Sequence, residues 1–127
     1  MKNTHTILLC DDEKFVARSY IRKLELDGYT VIHAQDGEKA LVCIRSDAPD
    51  LVLLDLMMPV KSGFEVLAEI QKDKNEDVKK IPILVTSNLG QQSDIDEAMK
   101  LGAAGFLIKS NISLKELAEK VQSYLPS

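Results

Sequence analysis

Five short apolar runs alternate along this chain with longer segments whose apolar residues recur at helical spacing. Ile7-Leu8-Leu9-Cys10 is too short for a helix, and its unbroken apolar character fits a strand buried on both faces. Asp12 or Glu13 then opens a helix with Ala17, Ile21 and Leu24 on one face, and Gly28 supplies its stop. Thr30 to Ala34 alternates, as suits a strand nearer an edge. Asp36 caps a second helix that turns Ala40, Leu41 and Ile44 inward and ends before Ala48-Pro49. Leu51 to Leu54 is another wholly apolar strand, ending at Asp55. Ser62 and Glu65 stand at capping-box spacing and open a third helix through Leu67 and Ile70. Lys72 to Lys80, dense in charge, reads as the frayed end of that helix and a solvated loop. Ile81 to Thr86 is a strand, with Pro82 tolerable near its start. A fourth helix opens over Ser93-Asp94-Ile95-Asp96, with Ile95, Ala98 and Met99 inward and Gly102 closing it; Gly105 to Ile108 is the last strand. Ser113 and Glu116 form another capping box, flanked by Ile112 and Leu117 at the spacing of a hydrophobic staple. Leu117, Ala118, Val121 and Leu125 carry the buried stripe of this fifth helix.

Strands that alternate with helices build a mainly parallel sheet covered on both faces, because parallel neighbours need long right-handed crossovers. The most apolar strands, starting at Ile7, Leu51 and Ile81, belong in the middle, which leaves the edges to those at Thr30 and Gly105. The predicted fold is therefore α/β, a doubly wound five-stranded parallel sheet of order 2-1-3-4-5. At 127 residues, 45% of them hydrophobic, the chain is expected to form a single domain, residues 1–127. Sixteen basic against twenty acidic side chains leave a formal charge of -4, which argues against direct nucleic-acid contact by this domain. No apolar run approaches the ~18 residues of a membrane span, so no membrane association is expected. The start, Met1-Lys2-Asn3-Thr4-His5, lacks the pattern of a secretory signal. Cys10 and Cys43 sit in apolar runs without metal-ligand spacing and read as buried thiols of a reducing cytoplasm. His5 and His33 are too few and too poorly placed to make a metal site.

In an open parallel sheet, ligands bind outside the carboxyl ends of the strands, where strand order reverses. Asp11 and Asp12 follow the first strand there, Asp55 the third, Thr86 the fourth and Lys109 the fifth. Taken singly, each has an ordinary reading: Asp12 as a helix cap, Thr86 as a β-former, Lys109 as a surface lysine. All of them meeting at one rim points to chemistry instead. Clustered carboxylates disfavour one another's charge, and one placed directly after four apolar residues is costly unless paired or liganded. A hard divalent cation resolves both difficulties. Magnesium takes oxygen ligands yet keeps places for water and phosphate oxygens, so it is the expected cofactor. Lys109 offers a second positive charge, and Thr86 a neutral donor, to the same phosphoryl group.

These elements resemble the receiver domain of two-component response regulators, a flavodoxin-like (CheY-like) fold, and the likeness covers nearly the whole chain. It is carried by Asp11-Asp12, by Asp55-Leu56-Met57-Met58-Pro59 leading to Gly63, by Thr86, and by Gly102-Ala103-Ala104-Gly105-Phe106-Leu107-Ile108-Lys109. The resemblance implies that Asp55 is the phosphoacceptor, a carboxylate nucleophile toward the phosphohistidine of a sensor histidine kinase. It implies magnesium held directly by Asp12, Asp55 and the backbone carbonyl of Met57, with Asp11 acting through water. Lys109 would pair with one phosphoryl oxygen, and Thr86 would move to bond another, opening space for the ring of Phe106. An effector would read the surface of the fourth helix, fifth strand and fifth helix. The implied protein is a cytoplasmic signalling phosphoacceptor rather than an enzyme with a separate substrate, a monomer or a phosphorylation-dependent homodimer. Met57 and Asn88 flank the path of attacking water and would tune the phosphoryl lifetime. Ser87 stands where alanine is usual and Ser62 where an acidic or amide residue is. Ser110 replaces the usual proline after the lysine, which makes a cis peptide there unexpected.

Two other readings fit less well. A haloacid dehalogenase-like phosphohydrolase needs a second aspartate two residues after its nucleophile, where this chain has Met57. A flavodoxin needs a Ser/Thr/Gly-rich phosphate loop after the first strand, where Asp11-Asp12-Glu13 would repel the phosphate. A third keeps the chemistry: with Leu125-Pro126-Ser127 closing right after the fifth helix, the chain is a single-domain protein or the receiver piece of a DNA-binding regulator or hybrid kinase.

Overall fold

The computed structural model describes residues 5–125; the readings made on residues 1–4 and 126–127 lie outside the described residues. Its elements are β1 (Thr6–Cys10), α1 (Lys14–Leu26), β2 (Thr30–Ala34), α2 (Gly37–Asp47), β3 (Leu51–Leu54), α3 (Gly63–Gln71), α4 (Glu76–Lys79), β4 (Ile83–Ser87), α5 (Gln92–Lys100), β5 (Gly105–Ile108) and α6 (Leu114–Tyr124), with a 3-10 turn at Lys109–Asn111. The strands form one sheet of order β2-β1-β3-β4-β5, every pairing parallel, as expected.

Successive strand residues point to opposite faces, and both faces here are covered. Leu8, Cys10, Val52, Leu54, Ile83 and Val85 pack against Leu41, Ile44, Val66, Leu67, Val78 and Ala98 on the helices α2 to α5. Ile7, Leu9, Leu51, Leu53, Leu84 and Leu107 meet Ala17, Tyr20, Leu24, Leu117 and Val121 on α1 and α6. This two-sided burial is why the central strands are unbroken apolar runs. β2, at an edge, is only partly buried, and its sequence alternates accordingly.

The helix signals act much as their chemistry dictates. The Asp36 side chain accepts the Lys39 N–H at 2.8 Å. Ser62 with Glu65, and Ser113 with Glu116, close both reciprocal capping boxes. Gly28, after α1, adopts φ 97°, a conformation that favours glycine. Of the two residues offered as the start of α1, Asp12 and Glu13, the N-cap position falls on Glu13. Three expectations need correction. The charged stretch from Lys72 to Lys80 contains a helical turn, α4, capped by Asn75 and anchored by buried Val78. Met99 is 44% exposed, because the short helix α5 offers the core a narrow stripe filled by Ala98. β4 starts at Ile83 and runs on to Ser87; Pro82 has no N–H for the ladder and contributes only its carbonyl, to the Val52 N–H at 3.0 Å.

Candidate functional site

The ladder carries the site residues to one rim. Beyond the last paired residues of β1 and β3, the Asp11 N–H reaches the Ala34 carbonyl at 3.1 Å and the Asp55 N–H the Cys10 carbonyl at 2.9 Å. Leu54 pairs with Val85, so the next step of the same register sets Asp55 beside Thr86. Lys109 follows Ile108 at the end of β5. Gly63 is fixed by contact: a Cβ there would lie 2.4 Å from the Asp55 carbonyl oxygen and 2.7 Å from the Leu56 Cα. A side chain at that position would push the start of α3 off the backbone that holds Asp55.

Lys109 is the hub. Its Nζ donates to Asp11 Oδ2 at 2.9 Å, Asp55 Oδ2 at 3.0 Å and Glu13 Oε1 at 3.0 Å. Asp11, Asp55 and Lys109 are buried, so these charge-assisted bonds act largely out of water. Both buried carboxylates are also held from the backbone. The Glu13 N–H donates to Asp11 Oδ1 at 2.9 Å, and the Met57 N–H to Asp55 Oδ1 at 3.2 Å. Burial pushes the Asp55 carboxyl above its ordinary range against the pull of the Lys109 ammonium. Burial also works against charge on Lys109, but its bonds to Asp11 and Asp55 outweigh this and hold it well above the ordinary lysine value.

Asp12 is exposed at the mouth. One carboxylate oxygen from each of Asp11, Asp12 and Asp55 can lie within 4.8 Å of the others, close enough to share a cation. Among the described residues, four carboxylates, counting Glu13, face a single ammonium, so the rim is short of positive charge. All the donors are oxygens. A hard divalent ion such as magnesium fits that set and that deficit.

Thr86 is fully buried, and its Oγ1 is a buried side-chain oxygen without a hydrogen-bond partner among the described residues. Beside it, Ser87 Oγ accepts the Leu89 N–H at 3.2 Å, while Asn88 Oδ1 accepts the Ser110 N–H at 3.0 Å and ties the loop after β4 to the turn after β5. Phe106 is half-buried against the α2-to-α5 side of the core, and Met57 is exposed. There is no cis peptide among the described residues. Cys10 is buried and Cys43 half-buried; burial raises both thiols, which favours their protonated form. His33 Nε2 bonds the Asp11 carbonyl at 2.8 Å, supporting the rim from behind.

The structure thus brings together Asp11, Asp12, Asp55 and Lys109, and sets Thr86 next to them. Sequence reasoning missed Glu13 as a partner of Lys109. The contact spans 96 residues, and its only sequence signal is a third acid directly after Asp11-Asp12.

Comparison with known proteins agrees with this geometry. The family model described as the response regulator receiver domain matches residues 7–122. A "Probable transcriptional regulator ycf27" of Porphyridium aerugineum is 38% identical over 119 residues, 94% of this chain and 47% of that protein. "Response regulator MprA" of Mycolicibacterium vanbaalenii is 37% identical over 119 residues, 94% of this chain and 49% of the relative. Among solved structures, the chemotaxis protein CheY4 of Vibrio cholerae superposes with a TM-score of 0.87 at 27% identity, covering 97% of this chain and 100% of its own. The chain spans about half the length of the curated relatives it matches.

Proposed function

Since the chain belongs to the response regulator receiver domains of two-component signalling, we propose that Asp55 is its phosphoacceptor and that a sensor histidine kinase is the donor. The observation that carries this reading is the buried Asp55 carboxylate 3.0 Å from Lys109 Nζ, with Asp11 and Asp12 within cation-sharing reach. An Asp55 oxygen attacks the phosphorus of the phosphohistidine. The new O–P bond forms as the P–N bond breaks, and the imidazole nitrogen keeps the electron pair. Asp11, Asp12, Asp55 and the Met57 carbonyl are the groups that would hold magnesium, Asp11 through water. The bound ion would supply the positive charge that lets an anionic phosphoryl group approach these acids. Lys109 donates to one phosphoryl oxygen.

The unpartnered Thr86 hydroxyl supports a second contact. A phosphoryl group adds roughly two negative charges and three strong acceptors, enough to draw a buried donor toward it. Thr86 then bonds a phosphoryl oxygen, and the half-buried Phe106 ring follows into the space released. The reporting surface is α5, β5 and α6, where an effector protein or domain or a second receiver reads a two-state equilibrium. Phe106 has no hydroxyl, so this switch is one of packing. The matched regulators support an output through transcription, made by a partner or by a further domain, with this domain a cytoplasmic unit that does not itself touch DNA.

Incubation with radiolabelled acetyl phosphate tests the assignment. The parent protein should be labelled in magnesium and lose labelling in excess chelator, and Asp55→Asn should take up none. Equal labelling of Asp55→Asn, or labelling indifferent to the chelator, would overturn it.

A further inference from the structure

An ammonium has three N–H donors and no acceptor, and on Lys109 all three are already spoken for. A phosphoryl oxygen arriving on Asp55 can be bonded by Lys109 only if one existing partner leaves. Asp11 cannot leave cheaply, being buried, with its second oxygen held by the Glu13 N–H. Asp55 is still a carboxylate while the phosphoryl group approaches, held by Lys109 at Oδ2 and by the Met57 N–H at Oδ1, and its hold on Lys109 weakens only once the O–P bond has formed. Glu13 differs from both. Its side chain is 49% exposed, and among the described residues its carboxylate bonds nothing but Lys109. Water can take over its hydration as soon as it swings out.

Resting on the reading of Asp55 as phosphoacceptor, we propose that the Glu13 carboxylate is a placeholder for the phosphoryl group. It occupies the third donor of Lys109 in the resting protein and is expelled to solvent when the phosphoryl oxygen takes that donor. Glu13 is thus a positioning residue that acts through Lys109, and its effect has a definite sign. Its negative charge stands beside the place where an anionic group must land, so it opposes the step it precedes. It also keeps the lysine from being left with a free donor in a site crowded with acids. The α1 start does not depend on it, because Glu13 makes no side-chain capping bond.

The test uses the whole protein with magnesium and radiolabelled acetyl phosphate. Glu13→Gln keeps the length and hydrogen-bonding capacity but removes the charge; Glu13→Ala removes the partner altogether. Both should be labelled faster than the parent, by about three- to ten-fold at low ionic strength, and the gain should shrink as salt is raised. A merely structural role predicts no such salt dependence. Independently, carbon NMR of the Glu13 side-chain carboxyl should move to the position of a free, solvated glutamate when beryllofluoride, a phosphoryl analogue, is added. Rates equal to or below the parent's, or a Glu13 signal unmoved by beryllofluoride while the protein binds it, would overturn the placeholder alone. A parent protein that takes no label at Asp55 would overturn the phosphoacceptor reading and the placeholder with it.

Discussion

A hydroxyl buried without a partner costs about 1–3 kcal/mol, because the water it gave up is not replaced. Thr86 Oγ1 is in that position. Val85 precedes it on the strand and Leu107 lies opposite in the register, while the Ser87 hydroxyl on its other side accepts the Leu89 N–H and does not serve it. The resting protein therefore carries a local penalty that a phosphoryl oxygen would relieve. Thr86→Val removes the hydroxyl and keeps the branched shape, so it should raise stability by about 1 kcal/mol, or roughly 4 °C in melting temperature. Urea unfolding of the two proteins without phosphodonor measures this. The same variant should still be labelled at Asp55 but lose any labelling-induced change in the environment of Phe106, read by proton NMR of its ring. A Thr86→Val protein less stable than the parent would mean that the hydroxyl already has a partner in solution.

At the level of elements, local chemistry acts where both partners are close in sequence. Glu116 shows this. The Ser113 N–H donates to its carboxylate at 3.0 Å, and that bond, helped by the serine side chain, holds its pKa below the usual range. A lowered folded pKa means a contribution fully present above the unfolded value and lost as pH falls through the folded one. Glu116→Gln can make the same bond without a charge to titrate. The stability difference between parent and Glu116→Gln should be flat near neutrality and shift toward the variant as the pH falls through and below the ordinary glutamate range, by urea midpoints at each pH. Short-range logic of this kind made both capping boxes, the Asp36 cap and the five strands legible, since each strand is a run buried on both faces. It failed where the deciding contact was remote or weakly coded. α4 rests on one apolar residue, Val78, among charges, so nothing periodic announces it. Met99 sits at an inward-looking spacing, yet α5 touches the core too narrowly to cover it. The carboxyl-end rule placed Asp11, Asp55 and Lys109 together, but it is blind to how many acids one lysine can serve, and so Glu13 was missed.

For the molecule as a whole, the rim is a charge imbalance that folding itself creates. Asp11, Asp12 and Glu13 arrive with β1 and α1, Asp55 with β3, and Lys109 from the far end of the sheet. In the unfolded chain these groups are mostly far apart and their repulsion is dispersed. Closing the sheet concentrates four acids around one base, so part of the stability supplied by the two hydrophobic faces goes to holding them there. A cation that binds only the folded arrangement returns some of it by mass action. At ten times the dissociation constant the gain is about 1.4 kcal/mol. Magnesium chloride should therefore raise the melting temperature in a saturable way, beyond the effect of sodium chloride at equal ionic strength. Asp12→Asn isolates the cause. Asp12 is exposed and bonds neither Lys109 nor the cap of α1, so its substitution should leave the fold intact and, by easing the repulsion, slightly stabilise the metal-free protein. The magnesium-dependent gain should fall to near zero in the same variant. Opposite signs in the absence and presence of the ion are what a shared oxygen site demands; a uniform change under both conditions would place the effect of Asp12 in the start of α1 instead.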